Sequence, residues 1–124
     1  MKDVIAAALS SLCVVHCLAL PILLAVGSSG LLLGLVSSEW FHYLMLLPIS
    51  GLLVWSLPGG WCVHRNKTPF ILGLSGFLLL VISLFAGHDA ELPLSVSGGL
   101  LLAAAHLRNR VLLKRTQEIL HAAH

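Results

Sequence analysis

The chain has 124 residues, 58% hydrophobic and 10% charged, with seven Lys and Arg against five Asp and Glu. Its mean hydropathy of +1.00 excludes an ordinary soluble domain, because a domain this small has too much surface to hide so many apolar side chains. So few basic residues argue against a nucleic-acid partner, and no phosphate-binding glycine loop, zinc-protease motif or serine elbow points to an enzyme.

The charges are placed as membrane boundaries. No Asp, Glu, Lys or Arg stands between Asp3 and Glu39, Glu39 and Arg65, Lys67 and Asp89, or Glu91 and Arg108. A span needs about 17–25 apolar residues. The first helix is therefore expected over residues 4–26, ending where Gly27-Ser28-Ser29-Gly30 favours a turn. It reads as a retained helix and not a cleaved leader, since no small-x-small site follows it and Leu12 is too large for the position before a lipoprotein cysteine. Residues 31–38 are too short to span and read as an interfacial or re-entrant piece.

The second helix is expected over 40–61, with Trp40 and Tyr43 near one interface and Trp61 near the other. Pro48 and Pro58-Gly59-Gly60 should kink or fray it. After the basic loop Arg65-Asn66-Lys67, Pro69 opens a third helix over 69–86. The fourth runs over 93–113, with Arg108 and Arg110 snorkelling to the headgroups, and leads into a basic amphipathic tail over 114–124. The fold expected is an all-α integral membrane bundle of four transmembrane helices, one domain over 1–124. Lys2, the Arg65/Lys67 loop and the basic tail fall on one side, which the positive-inside rule assigns to the cytoplasm together with both termini. Ala6, Ser10, Cys13 and Cys17 form a small-residue stripe, matched by Gly73 and Gly76 and by Gly99 and Ala103. Such stripes let helices approach closely in lipid, which offers no hydrophobic drive to associate.

Cys13, His16 and Cys17 stand three and four residues apart, so they share one face of the first helix and are expected to converge. Counting about 1.5 Å per residue from Asp3 puts them near the membrane midplane. Thiolates and imidazole suit Hg(II), Cu(I) or Zn(II), and a polar group at that depth is costly enough to suggest function. Packing is the plainer alternative, since cysteine is small and readily buried. His106 lies in line with Gly99 and Ala103 and is expected to face the bundle nearer the cytoplasm, as a relay. His64 closes the second helix beside Cys62, where it reads either as a surface residue or as a further ligand. His42, His88, Asp89 and Glu91 could form a cation-gathering vestibule on the outer side, and His121 and His124 a hand-over point to a cytosolic acceptor.

Ser11-Leu12-Cys13-Val14-Val15-His16-Cys17-Leu18-Ala19-Leu20-Pro21 closely resembles the first-helix signature of the MerC-domain family. His42, His64 and the run Gly98-Gly99…Ala104-Ala105-His106-Leu107-Arg108-Asn109 resemble it further along. The resemblance implies a multi-pass protein of the bacterial inner membrane that takes up mercuric ion for a cytoplasmic reductase. The family's mercury transporters carry a second cysteine pair in the tail, whereas this tail has only His121 and His124. The expected activity is ion transport by thiolate and imidazole exchange, with metal ligands among Cys13, His16, Cys17, His106 and His64. No tightly bound cofactor is expected. Hg(II) is the favoured cargo, with Zn(II), Cu(I) or Fe(II) as alternatives. A quinone-linked thiol-redox protein and a haem-binding subunit using His16 and His106 are the rival functions, and a homo-oligomer would suit the glycine stripes.

Overall fold

The computed structural model describes residues 2–26 and 39–123. Among them the chain is all helix: α1 (Lys2–Ala25), α2 (Glu39–His64), α3 (Thr68–Ser83) and α4 (His88–Ala122). The expected break at 27–30 and the interfacial piece at 31–38 lie outside the described residues. Three helices hold stretches long and apolar enough to cross a membrane, Lys2–Ala19, Leu46–His64 and Asp89–Ala122. The shorter α3 holds no charged residue, and after Ser83 the chain tightens into i→i+3 hydrogen bonds at Leu84, Phe85 and Ala86. This tighter winding rises about 2.0 Å per residue, so it adds reach where the α-helix stops.

α4 packs against the other three helices and forms the spine of the bundle. It starts at His88 rather than at the expected residue 93. Pro93 sits early in the helix, where its missing N–H frees only a carbonyl of the first turn. Asp89 and Glu91 in that turn suit the positive end of the helix dipole. At its other end α4 continues to Ala122, through the stretch read as a separate tail. Leu, Lys, Arg, Gln and Glu there are good helix formers, and Lys114 and Glu118 have the spacing of a favourable i,i+4 pair. Thirty-five residues make a rod of about 52 Å, well beyond a hydrocarbon core of about 30 Å.

α2 likewise passes through Pro48 and Pro58 and ends only at His64, beyond the expected stop at 61. Gly60 is buried where α2 meets α4, and a Cβ there would collide with the Asn109 side chain. That contact holds the Pro58-Gly59-Gly60 stretch in the helix instead of letting it fray. The end is set by Arg65, whose φ of 57° is left-handed and whose N–H bonds the Trp61 carbonyl at 2.9 Å, a common way to close a helix.

The core joins Ile49, Leu53 and Leu57 of α2 with Leu80 of α3 and Leu102 and Ala105 of α4. Large apolar side chains such as Ile22, Leu47, Trp55, Ile71 and Leu100 point outward instead, as a lipid-facing surface requires. α3 and α4 touch backbone to backbone at their crossing: a Cβ on Gly98 would stand 2.7 Å from the Gly76 carbonyl oxygen, and one on Gly76 2.7 Å from that of Gly98. α1 and α4 run antiparallel, because Asp3 meets His106 and Asn109 while Ser10 and Val14 meet Gly99. All the basic groups gather at one end. There the Lys2 ammonium lies 4.3 Å from the Trp55 ring centre and that of Lys67 5.7 Å from Trp61, an interfacial arrangement of amphipathic side chains.

Gly98→Ala should therefore force the α3–α4 crossing apart and cost about 1–3 kcal/mol, read as a lower melting temperature in detergent. Gly51→Ala, where a Cβ meets nothing within 4 Å, should leave melting unchanged or raise it, as alanine favours the helix.

Candidate functional site

One face of α1 carries most of the chemistry. Asp3, Ala6, Ser10, Cys13 and Cys17 recur every three or four residues and are all buried, so the expected small-residue stripe is the surface that meets the bundle. Cys13 and Cys17 are free thiols, 4% and 6% exposed, close enough to hydrogen-bond to each other. His16 is half-buried at the edge of this face. Neighbouring helix positions diverge by about 100°, so His16 and Cys17 fan apart although they share a side. Among the described residues no three His, Cys, Asp or Glu side chains converge on one metal position. What α1 offers is a thiol pair with an imidazole beside it.

Cys13 also lines a small cavity with Ser83 of α3, Ser95 of α4 and apolar side chains of α2 and α3. Its volume of about 10 Å³ suits one water-sized sphere. Ser95 donates to the Ser83 hydroxyl at 3.0 Å and Ser83 to the Leu80 carbonyl at 2.7 Å. Cys13 thus faces a polar spot among apolar side chains.

Near the basic end lies a buried polar cluster that sequence reasoning missed. Asp3 is only 7% exposed, although its place in the chain suggested a charge flanking the membrane. Its Oδ1 accepts hydrogen bonds from Ser56 Oγ at 2.6 Å, Asn109 Nδ2 at 3.0 Å and His106 Nδ1 at 3.1 Å. Burying a carboxylate is tolerable only with such partners. His64 joins through Asn109. Its Nδ1 accepts from the Asn66 N–H at 3.0 Å, so its Nε2 carries the hydrogen donated to Asn109 Oδ1 at 2.9 Å. His106, 1% exposed, uses Nδ1 on Asp3, while its Nε2 is buried with no hydrogen-bond partner among the described residues. An unpaired buried polar atom costs about 1–3 kcal/mol. The signal available in the sequence was the seven-residue spacing of Asp3, Ser10 and Cys17.

The other expected sites are less gathered. His42 and His88 belong to α2 and α4, but their side chains lie outside what the structure describes, as does His124. Asp89 is exposed and Glu91 half-buried in the first turn of α4. His121 is exposed near the far end of α4. Cys62 is exposed on α2 and does not join His64, because the helix there is intact.

A family model described as MerC mercury resistance protein matches residues 3–111. The chain belongs to the MerC family. With three helices long and apolar enough to cross a membrane, it is a multi-pass membrane protein related to mercury resistance, in contact with the lipid bilayer. The matched region includes the thiol pair and every member of the Asp3 cluster. No match was found among curated proteins or among solved structures.

Burial separates the three cysteines by reactivity. A water-soluble maleimide should label the folded protein in detergent at Cys62 alone, and Cys13 and Cys17 only after denaturation. Rapid labelling of all three in the folded state would contradict the placement of the thiol pair.

Proposed function

We propose that this protein carries mercuric ion across the bacterial inner membrane into the cytoplasm, using Cys13 and Cys17 as its capture site. The observation that carries this reading is the buried pair of free cysteines on α1 in a member of the MerC family. Capture exchanges the two S–H bonds for two Hg–S bonds and releases two protons to water. A thiolate pair on a dipositive ion is neutral, so the loaded site holds no net charge in the low-dielectric bundle. Soft thiolates favour a soft cation, and two ligands allow release more readily than a closed cage of four. Zn(II), which prefers four ligands, is served less well by a site with only two thiols.

The basic groups at one end orient that end to the cytoplasm, so the ion enters from the acidic end near Asp89 and Glu91. Burial weighs against the rival functions. Disulfide exchange needs an accessible thiolate, and Cys13 and Cys17 are largely shielded. His106 is enclosed and bound to Asp3, leaving no face for a haem plane.

Cells expressing the protein without a mercuric reductase should accumulate mercury and become more sensitive to it. The Cys13→Ser/Cys17→Ser variant, present at equal membrane levels, should return both to background. Zinc, copper and iron measured in the same cells should not change with the cysteines. Mercury uptake that survives the double substitution would refute the thiol capture site.

A further inference from the structure

We propose that His106 is a second binding station for the transported cation, with its Nε2 as the ligand atom and Asp3 as the residue that positions it. This inference rests on the transport reading and adds where the ion goes after the thiols.

The buried face of α1 sets the order. From Cys17 through Cys13 and Ser10 to Asp3 it runs toward the basic end, and Asp3 lies about 15 Å along the axis from Cys13. Helical side chains lean toward the N-terminus of their own helix. Because α1 and α4 are antiparallel, the cysteines lean toward the basic end and His106 leans back toward the cysteines. Ser10, whose Oγ is buried with no hydrogen-bond partner among the described residues, lies between them on the same face of α1.

His106 has the form of a ligand held ready. Its Nδ1–H donates to a carboxylate, which fixes the ring orientation and leaves the lone pair on Nε2. A carboxylate behind an imidazole is the usual support for a metal-binding histidine and raises its basicity. Most buried polar side chains have their hydrogen-bonding atoms satisfied. His64 meets that description, with Nδ1 and Nε2 both bonded; His106 does not. Asp3 is held in turn by Ser56 and Asn109, so the support is rigid. The negative carboxylate also offsets a dipositive ion on the imidazole, which the neutral ring alone cannot do. Transfer breaks the two Hg–S bonds as the Hg–Nε2 bond forms, with the two thiolates taking back two protons from water, and no redox step is involved.

His106→Asn separates ligand from scaffold. The Asn amide N–H stands where Nδ1–H stood and can keep the bond to Asp3, while Nε2 is lost. Three readouts on the full chain decide: melting temperature in detergent, Hg(II) bound at equilibrium to the purified protein, and Hg(II) uptake by proteoliposomes. His106→Asn should keep melting and bound mercury near wild type while uptake falls about tenfold or more, the usual scale for losing a metal-site partner. Asp3→Asn should slow uptake likewise, with partial recovery in Asp3→Glu. Wild-type uptake by His106→Asn overturns the inference, and so does a loss of uptake that merely follows a loss of melting temperature or bound mercury. If Cys13→Ser/Cys17→Ser transports normally, the capture site itself fails. Loss there beside normal uptake in His106→Asn refutes only the second station.

Discussion

A single carboxylate oxygen ties three helices together. Asp3 Oδ1 on α1 receives Ser56 from α2 and both His106 and Asn109 from α4. Lipid gives apolar helices no reason to prefer one another over the acyl chains, so packing and buried hydrogen bonds must specify the bundle. The Asp3 cluster does this at the basic end and sets how α1 is turned. With Asp3 facing inward, the spacing of α1 carries Ser10, Cys13 and Cys17 inward as well. The thiols therefore share their inward orientation with a residue about three to four turns away. Gly60 belongs to the same arrangement, since its lack of a side chain admits Asn109.

The spans, the basic end and the inward face of α1 were legible in the sequence because they follow from local rules. Gaps between charges mark spans, and residues three or four apart share a face. Asp3 was not legible, because a charge near a chain end ordinarily sits in water and its partners lie 53 to 106 residues away. The length of α4 was misread for a related reason. Pro93 looks like a start and the basic residues after Arg108 look like a tail, yet an early proline and a run of good helix formers both fit one long helix. Pro58-Gly59-Gly60 looked like a fraying end until Asn109, on another helix, supplied the contact that holds it. In the candidate site the thiol pair could be read directly. The contrast between His64 and His106 could not, because it depends on which ring nitrogens find partners.

These features give a physical picture of passage through a small bundle. On the proposed transport reading, a soft cation would exchange its water for two thiols at a neutral site and gain no third strong ligand to trap it. The buried polar positions meet between helices, Ser56, His106 and Asn109 at Asp3 and Ser95 at Ser83, while large apolar side chains face outward.

The most direct test of this account is X-ray absorption at the mercury edge on the purified, mercury-loaded chain. The account predicts one ion bound by two sulfur atoms, with the two-sulfur signal lost in either Cys13→Ser or Cys17→Ser and retained in Cys62→Ser. A shell of nitrogen or oxygen ligands, or a two-sulfur signal that requires Cys62, would contradict it.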